Sequence, residues 1–190
     1  MPNNPLVTVI CLCYNQEAYV VESLNSVINQ SYPFIELIIV DDFSTDNSKK
    51  TIIKWLEKNP EIRFVSNESN LGITKSFNKA LEFAKGKYII DLAADDVLLY
   101  NCVASQINAF STSSFKNLGV VYGNAELISE TGSFDSYYFP VNAQKKVIQK
   151  RITGDIYENV LSDFYSMCSV SAMIKKSVLE HLGGYDESLA

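Results

Sequence analysis

The chain has 190 residues, 47% hydrophobic and 20% charged, which suits one globular domain with its own core and excludes disordered, collagen-like and coiled-coil classes. Its 16 Lys and Arg against 22 Asp and Glu leave a net charge of −6, which argues against a general nucleic-acid binder, because such binding draws on cations that neutralise phosphates. Four cysteines (Cys11, Cys13, Cys102, Cys168) without Cys-x-x-Cys spacing and the single His181 exclude a disulfide framework or zinc site as the expectation, and point to a reducing cytosol.

The apolar run Leu6 to Cys13 is far too short to span a bilayer and predicts a strand buried on both faces. No other stretch reaches membrane-spanning length, so a cytoplasmic place is expected, with any membrane association peripheral, at the inner face, or supplied by sequence outside these residues. Val20, Val21, Leu24, Val27 and Ile28 then recur with helical spacing, and Pro33 follows as a stop. Ile35 to Val40 reads as a second strand. The cluster Asp41, Asp42, Ser44, Thr45, Asp46 and Asn47 follows, and then a helix carrying Ile52, Ile53 and Leu56. After Pro60, Ile62 to Val65 predicts a third strand, Ser66 to Gly72 a polar loop, and Ile73, Phe77, Ala80, Leu81 and Ala84 the stripe of a third helix. Gly86 is expected to end that helix in a left-handed conformation, ahead of a fourth strand, Tyr88 to Leu92.

Beyond Asp96 the pattern is weaker. It predicts a helix near Val103 to Phe110, a strand near Val120 to Tyr122, a turn-rich aromatic stretch from Ser133 to Tyr138, and a helix near Ile156 to Tyr165. A last strand is expected at Ser171 to Lys175, with a short helix from Ser177 to Leu182 closed by Gly183 and Gly184. The alternation of strand and helix predicts an α/β fold, a mostly parallel sheet with helices on both faces. The chain reads as one domain, 1–96 carrying the regular alternation and 97–190 the weaker pattern.

In such sheets ligands bind beyond the carboxyl ends of the parallel strands. Tyr14, Asn15 and Gln16 follow the first strand, Asp41 and Asp42 the second, Asn67 to Asn70 the third, and Asp95 and Asp96 the fourth. Phosphate-binding glycine loops are absent. Converging carboxylates without a Lys or Arg partner repel one another unless a cation sits among them, and Mg²⁺ or Mn²⁺ held by one or two carboxylates plus phosphate oxygens resolves the conflict. An acidic edge can thus hold a diphosphate.

These residues resemble family 2 glycosyltransferases of the GT-A fold. The likeness rests on Val-Thr-Val-Ile from Val7, Cys13-Tyr14-Asn15, Asn29 to Pro33, and Val40-Asp41-Asp42-Phe43-Ser44-Thr45-Asp46. It continues through Asn70-Leu71-Gly72, Asn78, Ala84 to Ile89, Asp95-Asp96 and Gly183-Gly184-Tyr185-Asp186-Glu187. The resemblance implies inverting transfer of a sugar from a nucleoside diphosphate, commonly a UDP-sugar, to a hydroxyl of a growing cell-surface glycan or a lipid-linked acceptor. It implies that Asp42 reads uracil, and that Thr8, Tyr14, Asn15, Glu17, Asn70, Gly72 and Asp95 line the nucleotide site. Asp95 and Asp96 match the metal-binding region, in which Ala93 stands where the family commonly has Asp. The general base is expected beyond Ala190, with Asp186, Glu187 and Asp163 as weaker candidates within the chain.

Other residues have plainer expectations. Asp41 reads as a cap of the second helix, and Cys11 and Cys13 as small core residues. Tyr137, Tyr138 and Phe139 serve as core or stack on a sugar, and His181 sits at a helix C-terminus. Lys145, Lys146, Lys150 and Arg151 form a solvated face or steer a charged acceptor. A sugar nucleotidyltransferase is disfavoured because Cys11 to Glu17 contains no Gly, Lys or Arg. A non-catalytic nucleotide-sugar-binding module is the remaining alternative.

Overall fold

The computed structural model describes residues 4–148, 153–162 and 167–189. Four strands, β1 (Val7–Cys13), β2 (Ile35–Asp41), β3 (Arg63–Ser66) and β4 (Tyr88–Ala93), run parallel in the spatial order β3-β2-β1-β4. They alternate with α1 (Val20–Ile28), α2 (Ser48–Leu56) and α3 (Ile73–Leu81). The first half therefore follows the predicted rhythm, with boundaries shifted by a few residues.

The alternation of side chains across the sheet builds two cores. Val7, Val9, Cys11 and Cys13 of β1, with Leu37 and Ile39 of β2, pack beneath Leu24 and Val27 of α1 and Ile52 of α2. Ile10 of β1, Ile38 and Val40 of β2 and Ile89 of β4 pack beneath Phe77, Ala80 and Leu81 of α3 on the other face. Helices thus cover both faces, and the sheet's polar loops are left at its carboxyl edge.

After β4 come α4 (Cys102–Thr112) and β5 (Val120–Tyr122), then an antiparallel pair of short strands, β6 (Glu126–Ile128) and β7 (Phe134–Tyr137), where only an aromatic, turn-rich stretch was expected. Phe139 is buried beyond that hairpin, and Tyr138 donates its hydroxyl to the Met167 carbonyl, so both anchor the hairpin to the body. The short helix α5 (Tyr157–Ser162) lies within the predicted helical stretch; residues 163–166 lie outside the described ones, as do Lys150 and Arg151 of the basic run. Lys145, at the start of that run, sits 3.7 Å from Glu126 of the hairpin.

The last strand, β8 (Ala172–Lys175), inserts antiparallel between β4 and β5, giving a six-stranded order β3-β2-β1-β4-β8-β5. It is followed by α6 (Lys176–Leu182), whose Leu179 enters the same core as Phe77. Gly183 adopts a left-handed conformation with φ 81° and caps this helix, with His181 in its last turn. Among the described residues no helix is long and apolar enough to cross a membrane.

Gly86 does not act as the left-handed cap that was expected. Positive φ is absent there, and the constraint is proximity: a Cβ would lie 2.4 Å from the Thr8 backbone nitrogen. The Gly86 N–H donates to Thr8 Oγ1 at 2.9 Å. Only a residue without a side chain lets the turn before β4 lie against β1.

Candidate active site

At the carboxyl ends of β1, β2 and β4, closed on one side by α3 and on another by the stretch after α6, lies a cavity of about 520 Å³. Its lining includes Leu12, Tyr14, Gln16, Asp42, Asp91, Asp95, Asp96 and Tyr185. No Lys, Arg or His lines it among the described residues. Four carboxylates therefore share one concavity without a compensating cation.

Asp42 is buried, and three donors converge on it. Its Oδ1 accepts from Asn67 Nδ2 and the Leu71 N–H, both at 2.8 Å, and its Oδ2 accepts from the Gly72 N–H at 2.9 Å. The Asn67 amide also donates to Ser76 Oγ, and Lys79 Nζ donates to Asn67 Oδ1 at 2.8 Å. Asp42 thus folds the loop after β3 onto the start of α3 and keeps one of its roughly four acceptor positions for a ligand.

Asn70 and Gly72 belong to this loop rather than to the cavity wall. Asn70 Oδ1 accepts from the Gly72 N–H, and Gly72, with φ 82°, precedes the first turn of α3. Asn15 and Glu17 likewise brace loops. Asn15 Oδ1 accepts from the Thr45 and Asp46 N–H groups, while the Glu17 carboxylate accepts from the Asn47 N–H at 2.7 Å. They pin the segment after β1 to the segment after β2, and so aim the half-exposed ring of Tyr14 at the cavity.

Two sequence-based assignments are corrected. Thr8 lies at the opposite end of β1, about 15 Å along the strand from Cys13, fully buried, donating to Glu36 Oε2 and accepting from the Gly86 N–H. It is a brace of the strand bases, and the β1 residues that line the cavity are Leu12 and Cys13. Asp41 does not cap α2, which begins only at Ser48; Asp46 Oδ1 accepts the Ser48 N–H instead. Asp41 ends β2 with both carboxylate oxygens buried and without a hydrogen-bond partner.

Asp95 and Asp96 stand at the turn after β4. Asp95 is exposed and accepts from Gln16 Nε2 at 3.2 Å. Asp96 is half-buried, and burial first, then the neighbouring Asp95 charge, pushes its carboxyl above the usual range. Hard oxygen donors under mutual repulsion at an open cavity fit an oxygen-seeking divalent cation. Among the described residues no three acidic, His or Cys side chains cluster closely enough to hold a metal. The two neighbouring carboxylates would therefore need a ligand's phosphate oxygens and water to complete the coordination.

Gln16 stands at the strand edge where the sequence places it, whereas the sequence reading assigns no site role to Asp91, half-buried within β4, whose carboxyl is pushed up to about 6 by burial and by the Asp96 charge, against a hydrogen bond from Tyr185 that lowers it. The signal was present: a carboxylate interrupts the run Ile89, Ile90, Leu92 in a strand buried on both faces. The Tyr185 phenol is raised in turn, by burial and then by the Asp91 charge.

The segment Gly183 to Glu187 is locked onto α3. Tyr185 stacks on Phe77 with ring centroids 4.2 Å apart; Asn78 Oδ1 accepts the Tyr185 N–H and Asn78 Nδ2 donates to the Tyr185 carbonyl. Glu187 accepts from Asn78 Nδ2 at 3.0 Å, and Asp186 accepts from both the N–H and the hydroxyl of Ser188, which hold its carboxyl low. Neither is placed as a free base. Asp163 lies outside the described residues. Burial pushes the Cys11 thiol up to about 12 and raises that of Cys13, as suits small core residues.

Comparison with known proteins bears on this arrangement. The chain is 32% identical over 189 residues to an uncharacterized glycosyltransferase of Methanocaldococcus jannaschii, MJ1057, covering 98% of this chain and 61% of that protein. It is 30% identical over 135 residues to the Escherichia coli UDP-Glc:alpha-D-GlcNAc-diphosphoundecaprenol beta-1,3-glucosyltransferase WfgD, covering 71% of this chain and 51% of that one. It therefore spans between half and two thirds of the length of these relatives. Among solved structures, the mannosyltransferase PcManGT from Pyrobaculum calidifontis, in complex with GDP-Man and Mn²⁺, aligns with a TM-score of 0.66 at 23% identity, over 98% of this chain and 49% of that one. S. aureus TarS 1-349 in complex with UDP gives 0.67 at 21% identity, over 97% and 51%. These likenesses assign the GT-A fold. The sequence profile of glycosyl transferase family 2 matches residues 8–183, and the chain belongs to that family.

Proposed function

We propose that this chain carries the donor site of an inverting hexosyltransferase that takes a nucleoside diphosphate sugar, a UDP-sugar foremost, and transfers the sugar to a hydroxyl of a cell-surface glycan or its lipid-linked precursor. The observation that carries this reading is a cavity at the strand ends lined by Asp42, Asp91, Asp95 and Asp96 and by no cationic side chain among the described residues. Such a surface repels a diphosphate unless a divalent cation joins them. The relatives support it: one is a UDP-Glc-dependent glucosyltransferase, and one structural neighbour holds GDP-Man with Mn²⁺.

The roles follow from position. Asp42 offers its remaining acceptor position to an N–H of the base, with Tyr14 as a flat surface beside it. Asp95 and Asp96 would hold Mg²⁺ or Mn²⁺, whose chemistry when bound is to stabilise the charge that builds on the departing diphosphate. In the reaction the acceptor oxygen forms a bond to the anomeric carbon as the bond to the diphosphate oxygen breaks, and the hydroxyl proton passes to a general base. We assign that base to a carboxylate outside the described residues, because Asp186 and Glu187 are engaged by Ser188 and Asn78.

A thermal-shift panel of UDP, GDP, CDP and dTDP, each with and without Mn²⁺ or Mg²⁺, tests the reading. At a hundredfold excess over the dissociation constant, stabilisation of about 2.7 kcal/mol is expected, or roughly 5 to 10 °C for a domain of this size. The shift should require the cation and vanish in Asp95→Ala combined with Asp96→Ala. A shift of equal size without metal would refute the cation bridge. Loss of turnover in Asp186→Asn or Glu187→Gln, with donor binding intact, would return these carboxylates to consideration as the base.

A further inference from the structure

Asp91 has no role in the scheme above, yet it faces the same cavity. The strand register separates it from Asp42. Asp41 lies opposite Cys13, whereas Asp91 lies opposite Ile10, one strand further over. The two carboxylate-bearing positions are thus about 10 Å apart across the sheet and about 13 Å along it. No single planar base touches both. Asp95 and Asp96 stand on the turn that continues β4, and Asp96 is near enough to Asp91 to raise its carboxyl by charge. A ligand with its base at Asp42 and its diphosphate at Asp95 and Asp96 extends its third part, the sugar, toward Asp91.

The chemistry at that end is suited to hydroxyl groups. Asp91 and Tyr185 line the cavity together, the phenol close enough to act on the carboxylate, whose oxygens offer acceptor positions to a ligand. The Tyr185 oxygen can itself accept. The phenol is fixed from behind by its stack on Phe77 and by the two hydrogen bonds of Asn78 to its backbone, so the pair is held before any ligand arrives. With no Lys or Arg on the wall among the described residues, this end accepts donors of hydrogen bonds and repels anions.

We propose that Asp91 and Tyr185 form a specificity-determining pair that hydrogen-bonds the ring hydroxyls of the donor's sugar. The inference rests on the donor-site reading above and deepens it. Asp91→Asn preserves shape while removing the charge, and Tyr185→Phe preserves the stack on Phe77 while removing the hydroxyl. Binding by titration calorimetry in Mn²⁺ is to be compared for bare UDP and GDP and for UDP-glucose, UDP-N-acetylglucosamine and GDP-mannose. Both variants should bind the bare diphosphates as the wild type does, and should lose roughly tenfold in affinity for the sugar-bearing donor that the wild type prefers, about the worth of one charge-assisted hydrogen bond. Equal losses for diphosphate and diphosphate sugar, or no loss for either, would overturn the assignment of the pair. No binding of any nucleoside diphosphate to the wild type would overturn the donor-site reading, and this inference with it.

Discussion

Asp42 and Asp91 look toward the same cavity, and their surroundings divide their work. Asp42 is enclosed by donors: the Leu71 and Gly72 N–H groups and the Asn67 amide all end on it. Asp42→Ala strands these donors in a buried place, at a cost of about 2 to 4 kcal/mol. Urea unfolding should read that loss even without ligand, separating the bracing role from any effect on donor affinity. Asp91 is in the opposite position, half-buried among Asp96, the Tyr185 hydroxyl and apolar side chains. An ordinary Asp titrates at 3.8, whereas folding moves Asp91 to about 6. Below pH 3.8 the group is protonated in both states and imposes no penalty; between pH 3.8 and about 6 the unfolded chain ionises while the folded one resists, so stability is lost across that interval and the penalty is full above it. Asp91→Asn should therefore be about 1 to 3 kcal/mol more stable than the wild type at pH 8 and nearly equal to it at pH 3.5. Denaturation at the two pH values checks this, and equal differences at both would refute it. A carboxylate that weakens the fold at neutral pH is the kind of residue a ligand site retains.

At the scale of elements, the sequence was most legible where one local rule decides the outcome. β1, β2 and β4 announce themselves as apolar runs, and α3 as a stripe at helical spacing. The hairpin β6–β7 does not, since Glu126, Asp135 and Ser136 sit among its few apolar residues and nothing alternates long enough to register. Gly86 shows why position matters more than residue type. Read alone, a glycine after a helix suggests a left-handed cap; the structure gives that conformation to Gly183 and reserves Gly86 for a close approach to Thr8. Gly86→Ala must push the β1 backbone aside, because the obstructing atom is a main-chain nitrogen 2.4 Å from the new Cβ. A loss of about 2 kcal/mol or more is expected, measured as a lower thermal midpoint. Substitution of Gly123, where a Cβ meets nothing within 4 Å, is the control and should change little. The loop residues at the site end of the sheet fit the same lesson. Asn15 and Glu17 bond to the segment after β2, while Asn70 bonds within its own loop and Gly72 also to Asp42, pairings that only three dimensions reveal.

For the molecule as a whole, the parallel order of β1 to β4 was readable from the alternation of strand and helix, and with it the edge that carries the site. The place of β8 was not. Its residues were recognisable as a strand, but its partners lie on either side of a long excursion, and antiparallel insertion between β4 and β5 follows from no local pattern. That insertion brings Tyr185 to the cavity, because α6 and the glycine pair follow β8 directly. The acidic rim from the first half and the phenol from the second meet only once the sheet is complete.

The interpolation of β8 also bears on how the protein is made. A ribosome delivers β4 long before β8, so the outer flank of β4 emerges with a row of amide and carbonyl groups that nothing yet satisfies. Until the tail of the domain arrives, the growing polypeptide carries an adhesive border, and its safe maturation depends on the speed of elongation and on the chaperones that greet it.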